Sequence, residues 1–130
     1  MQKLIQFLEQ QGFSKEAKNL EEDNTVLEIR HKIVYIDTIK FILNILTFDS
    51  KISSKLTCLI LEDAFIQSDG VKLIAEFLQQ NSKLISLDLS SNGYLFPRAI
   101  EPIGKALEFN DTLKYLSLYH SKVGVIGVKG

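Results

Sequence analysis

Apolar and polar residues fall into the same frame three times along the second half of the chain. Leu56-Thr57-Cys58-Leu59-Ile60-Leu61, Leu84-Ile85-Ser86-Leu87-Asp88-Leu89 and Leu113-Lys114-Tyr115-Leu116-Ser117-Leu118 each place leucine at positions one, four and six. The step from Leu56 to Leu84 is 28 residues, and from Leu84 to Leu113 it is 29. The alternation predicts a short strand in each, with its leucines on one face. Behind the first strand, Val71, Ile74, Ala75 and Leu78 share one face of a helix that ends at Asn81. Behind the second, Ile100, Ile103, Gly104 and Leu107 do the same, ending at Asn110, with Pro97 and Pro102 restricting where that helix begins.

Upstream, the period changes. Thr25-Val26-Leu27-Glu28 has capping-box spacing, and Ile29, Ile33, Ile36, Ile39, Leu43 and Leu46 recur at three- and four-residue steps. The pattern predicts a helix over 25–48, with a strand within 31–36 as the alternative because β-branched residues are frequent there. Val34, Tyr35, Phe41, Ile42 and Ile45 widen its apolar face beyond one seam, so it is covered on more than one side. Residues 49–55 are expected to be a loop. At the N-terminus, Leu4, Ile5, Phe7 and Leu8 crowd one side of a short helix that Gly12 stops. Ser14 is expected to cap a second helix with Glu16 in its first turn and Ala17 and Leu20 on its apolar side. Such a hairpin is too small to bury its own apolar face.

Leu84-x-x-Leu87-x-Leu89-x-x-Asn92, followed by an amphipathic helix, resembles the leucine-rich repeat, and the 28–29-residue unit is similar to its ribonuclease-inhibitor-like subtype. The resemblance implies an α/β leucine-rich-repeat solenoid over 56–130, two repeats full and one truncated, with a short parallel sheet on the concave side and helices on the convex side. An all-helical segment is expected to precede it, with 25–55 a capping helix and loop built on the helix half of a lost repeat. Asn at the ninth position satisfies backbone groups in the turn after the strand; Asn92 meets this, whereas Ala64 and Ser121 do not. The third repeat matches through Val123, Gly124, Gly127 and Val128 before the sequence stops at Gly130, which is expected to mean a fragment of a longer array or, alternatively, an open end covered by a partner.

Residues 1–24 carry a second resemblance. Ile5-x-Phe7-Leu8, Gly12-Phe13, Ala17, Leu20 and Asp23 are similar to the LisH (lissencephaly homology) motif, with phenylalanines where that family commonly has tyrosine and Asp23 in place of Glu. The resemblance implies a homodimer through Ile5, Leu8, Ala17 and Leu20, with Phe7 and Phe13 over the bundle or against the connecting helix. It also implies an association with microtubules or centrosomes. The alternative is that the hairpin only caps the repeats.

Composition narrows the function. Residues 1–55 carry eight basic and eight acidic side chains and residues 56–130 seven and eight, so neither half has the surplus that nucleic-acid binding needs. No stretch approaches the roughly 18 apolar residues of a membrane span, and no apolar signal core follows Met1. The single Cys58 excludes an internal disulfide framework and fits a reducing, cytoplasmic setting, cytoskeletal or ciliary association included. His31 and His120 lack partners at metal spacing, no phosphate-cradling loop is present, and Cys58 has no evident activating base. No enzyme, cofactor, metal or small-molecule substrate is therefore expected.

What remains is surface. Positions three, five, seven and eight of the frame point outward from the strands and place Cys58, Ile60, Glu62 and Asp63 beside Ser86, Asp88, Ser90 and Ser91, then Tyr115, Ser117, Tyr119 and His120. This face is expected to bind a protein partner through Glu62, Asp63, Asp88, Ser90, Tyr115, Ser117, Tyr119 and His120, with tyrosines as anchors and carboxylates selecting polarity. The loop Gly93–Arg98, with Tyr94 and Phe96, is either core filling or a second contact. The expected role is a protein-interaction scaffold with a dimerising head. Two alternatives stand beside it: a regulator of an enzyme such as a GTPase, since ribonuclease-inhibitor-like arrays also occur in Ran GTPase-activating proteins, and a structural subunit of a ciliary or microtubule assembly.

Overall fold

The three strands of the leucine frame form, and a fourth joins them from a stretch expected to be helical. A computed structural model describes residues 1–80, 83–93 and 97–118. In chain order it contains α1 (Gln2–Gln10), α2 (Ser14–Glu22), β1 (Val26–Arg30), α3 (Ile36–Phe48), α4 (Ser50–Ser53), β2 (Cys58–Glu62), α5 (Ser68–Gln79), β3 (Ser86–Asp88), α6 (Pro97–Leu107) and β4 (Tyr115–Ser117). The strands make one parallel sheet in the order β1-β2-β3-β4. Its register runs Leu27, Leu59, Leu87, Leu116 straight across, so equivalent residues of the frame are direct neighbours.

The fold is therefore mixed α/β, with a short parallel sheet covered by helices on one face. Leu27, Ile29, Leu59, Leu61, Leu87, Leu89 and Leu118 point to that face and are buried in one core with Val71, Ile74, Leu78, Ile100 and Ile103. Each such aliphatic side chain contributes about 1.5–3 kcal/mol by leaving water. Along the helical layer α3 packs on α5 and α5 on α6. The amphipathic face read for α5 is the buried one; in α6, Ile100 and Ile103 are buried and Leu107 partly so, but Gly104 is exposed and Ala106 takes the inward place instead. α6 starts at Pro97, where a missing N–H costs nothing, and continues through Pro102.

Two expectations for 25–55 are corrected. The helix begins at Ile36, not Thr25, and Val26–Arg30 is a strand with alternating burial: Leu27 and Ile29 inward, Glu28 outward. The alternative strand within 31–36 does not form either. Thr25 and Glu28 do not make a capping box: Thr25 donates from its N–H and hydroxyl to Asp23 Oδ1, and Glu28 accepts from Arg30. The second correction explains the first. Residues 49–55 include α4, whose N-cap Asp49 accepts from the N–H groups of Lys51 and Ile52. This extra turn stretches the step from Leu27 to Leu59 to 32 residues, so a frame counted back by 28 misses the strand.

The N-terminal hairpin forms as expected, with Gly12 at φ +88° and the Phe13 N–H bonding back to the Leu8 carbonyl across the helix end. Ser14, however, is the first helical residue; the N-cap is Phe13, with no side-chain cap bond. Ile5, Leu8, Ala17 and Leu20 are 5, 0, 1 and 0% exposed within the single chain. The premise that they need a second copy to be covered is thus corrected: α2 packs on β1, and the chain covers them itself. Phe7 lies against the connecting helix, its ring stacked on Phe41 of α3 at 3.6 Å between centroids. Glu16 is buried but paired, accepting from Lys32 Nζ at 2.9 Å, and the same ammonium sits 5.9 Å from the Phe13 ring centre. These contacts clamp α2 to the segment after β1. Among the described residues, no helix is long and apolar enough to cross a membrane.

Candidate functional site: the open face of the sheet

Because all the leucines of the frame turn inward, the alternate residues build the opposite face. In register, its rows are Val26, Cys58, Ser86, Tyr115, then Glu28, Ile60, Asp88, Ser117, with Arg30 beside Glu62 at the end of the two longest strands. The sequence-predicted set therefore splits into two groups.

The first is charged. Arg30 donates from Nε to Glu28 Oε1 at 2.6 Å, and its Nη1 lies 2.8 Å from Glu62 Oε1. Glu28 and then Glu62 hold the guanidinium pKa above its already high ordinary value. Next to it, His31 Nδ1 is 2.9 Å from Asp63 Oδ2. Glu62 and Asp63 thus stand where the sequence placed them, but engaged rather than free: Glu62 in an ion pair with Arg30, and Asp63 in hydrogen-bond contact with the His31 ring. Exposed pairs of this kind contribute little to stability, of order 0–1 kcal/mol, yet they fix the pattern of charge a partner would meet.

The second group surrounds a shallow depression of about 400 Å³ lined by Ile60, Ser86, Asp88, Lys114, Tyr115 and Ser117. Tyr115 is 67% exposed, a large aromatic standing free beside half-buried polar groups. Asp88 Oδ1 accepts from the Ser90 N–H at 2.8 Å. Ser90 itself is a correction: it is 5% exposed, in the turn after β3, with its hydroxyl 2.7 Å from that of Ser117. The alternation that aims side chains outward stops where the strand does, so Ser90 supports the face and does not belong to it. Cys58 is a free, half-buried thiol. Tyr119 and His120, like Tyr94 and Phe96 of the expected contact loop, lie outside the described residues.

Beneath the face, Asn92 ties the turns together. Its Oδ1 accepts from the N–H groups of Ala64 and Ile66, both at 3.0 Å, and its Nδ2 donates to the carbonyls of Leu61, Leu89 and Ser90 at 2.8, 2.8 and 3.2 Å. This is the role read for the ninth position, extended to the preceding repeat. At the opposite end Asn110 donates to the Leu78 carbonyl at 2.8 Å and accepts from the N–H groups of Thr112 and Leu113, joining the end of α5 to the approach to β4.

Sequence reasoning missed Glu28 and Arg30 as members of the face, because their segment was taken for a helix. The signal was present: Val26-Leu27-Glu28-Ile29-Arg30 alternates with period two. Among the described residues, no three His, Cys, Asp or Glu side chains are grouped to hold a metal ion.

No protein-family model matches the sequence, and no curated protein matches it. Among solved structures, the chain is similar to leiomodin-1 actin-binding site 2, with a TM-score of 0.65 and 21% identity over 81% of this chain. The match covers 58% of that chain, so this sequence spans somewhat more than half its length. At this identity the likeness is one of fold.

Proposed function

We propose that the chain is a non-enzymatic protein-interaction module, a leucine-rich-repeat solenoid whose outward sheet face receives a partner. The observation that carries this reading is the open face itself. Four in-register strands present an exposed tyrosine over a shallow, mainly apolar depression at one end and a fixed Glu-Arg-Glu charge pattern at the other. Tyrosine is a favoured interface anchor because it offers large rigid area at low entropic cost, and complementary charge selects and orients the partner. The N-terminal hairpin serves as the cap of the array, hiding the core edge that the first strand would otherwise expose. Its packing onto β1 supports this over a dimerising role. The fold's likeness to an actin-binding site makes actin the first partner to try and favours a cytoskeletal setting.

The test is a photo-crosslinking residue placed at position 115, with position 72 on the exposed side of α5 as control. A discrete protein adduct from 115 and none from 72 supports the reading. Adducts from 72 alone, or from neither, contradict it. Repeating the reaction with purified actin either names actin as the partner or removes it while leaving the surface in place.

A further inference from the structure

The turns after the strands repeat as faithfully as the strands do. His31, Asp63 and Ser91, each four residues beyond the central leucine, have φ values of 59°, 48° and 58°. Two residues further on, the same frame position is filled by Ile33, Phe65 and Gly93. Gly93 takes φ +73°, and Phe65 takes φ 58°. Glycine enters this left-handed region without penalty, whereas a bulky residue there is an outlier, strained by its own Cβ. Phe65 does not fill the core in return, since it is 62% exposed. Ile33 beside it is 51% exposed and Tyr35 is 70% exposed. A strained, solvent-facing aromatic at a glycine position, set among exposed apolar neighbours, has neither local backbone nor core packing to account for it and points to a contact role.

We infer that this loop edge, separate from the open sheet face, docks a peptide segment of a partner protein: one aliphatic or aromatic side chain next to a lysine or arginine. The size follows from the cavity of about 200 Å³ that Ile33, Tyr35, Ile36, Ile39 and Phe65 line together with Asp69. That is below the roughly 300–1,000 Å³ of small-molecule sites and suits a single side chain. The charge follows from the rim. Asp69 is exposed and is the sole ionised group among the lining residues. No lysine or arginine is among the lining residues, and Lys32 and Arg30 just before them are paired with Glu16 and with Glu28 and Glu62. A basic residue flanking the anchor finds a carboxylate in the lining.

Phe65→Gly separates function from folding, because it removes the anchor while relieving the strained backbone. A displayed library of short peptides, each with one central leucine, phenylalanine or methionine flanked by lysine or arginine, by glutamate, or by glutamine, is panned against the full chain. Basic-flanked peptides should be retained, with affinity reduced about tenfold or more by Phe65→Gly, as for loss of an interface anchor. Asp69→Asn should erase the preference for a basic flank, Tyr115→Ala should leave it intact, and the Phe65→Gly melting temperature should equal or exceed that of wild type. Retention of no peptide, equal retention on Phe65→Gly, or enrichment of acidic flanks overturns the proposal. So does sedimentation showing a dimer of the chain that Phe65→Gly dissolves, which would make a second copy the occupant.

Discussion

Asn92→Ala removes one side chain that satisfies five backbone groups, and its cost can be worked from the geometry. Asn92 is 7% exposed, so water does not replace it. The Ser90 carbonyl keeps its bond from the Asp63 N–H. The N–H groups of Ala64 and Ile66 lose the acceptor they share in a buried turn. An orphaned buried donor costs about 1–3 kcal/mol, so the two together give about 2–6 kcal/mol. Against a total of about 5–15 kcal/mol for a small domain, this is a large share. At about 4 °C per kcal/mol for a chain of this size, the midpoint should fall by about 8 °C or more. Thermal and urea unfolding followed by circular dichroism measure it, with Asn44→Ala on the exposed side of α3 as the control. Amide exchange at Ala64 and Ile66 should accelerate more than at other buried sites. An Asn92→Ala midpoint within about 2 °C of wild type would refute the claim that the turns are held through this side chain.

Three further outcomes follow. Leu27→Ala should cost about 2–5 kcal/mol, as for other buried leucines, while Glu28→Ala at the neighbouring exposed position should cost under about 1 kcal/mol in the same unfolding assay. Leu8→Glu should lower the unfolding midpoint of the whole chain, because it buries an unpaired charge in the chain's own core; light scattering that shows the mass halving with the fold intact would return the hairpin to a dimer seam. The hydroxyl and then the N–H of Thr25 hold the Asp23 carboxyl below its ordinary value, so its small contribution to stability is present at neutral pH and lost as pH falls through the carboxylate range. Carbon-detected NMR titration should show that shift, and Thr25→Val should return most of it.

How much of this was legible depended on whether one period governed a segment. The leucines at 59, 61, 87, 89 and 118 are uninterrupted by any competing pattern, and all are inward in the structure. β1 was hidden because Ile29, Ile33, Ile36 and Ile39 happen to fall at helical steps across a strand, a turn and a helix. The first frame position there is Asn24, whose side chain bonds the Leu20 carbonyl at the end of α2 instead of filling the core. Length variation added to this, since α4 lengthens the repeat without altering its strand. The hairpin was legible through Gly12, but not what covers it, because burial by β1 and α3 is a tertiary fact. On the surface, alternation located Tyr115, Asp88 and Ser117 correctly and failed at Ser90, where the chain had already turned. Phe65 gave no sign in sequence, since its oddity lies in a backbone angle seen only beside Gly93.

Tyr115 is the proposed anchor of the open sheet face. It is exposed in the unbound chain, so Tyr115→Ala should leave the melting temperature unchanged, while affinity for the partner crosslinked from position 115 falls about tenfold or more in a calorimetric titration. Wild-type affinity retained by Tyr115→Ala would contradict the assignment of the open sheet face as the binding surface.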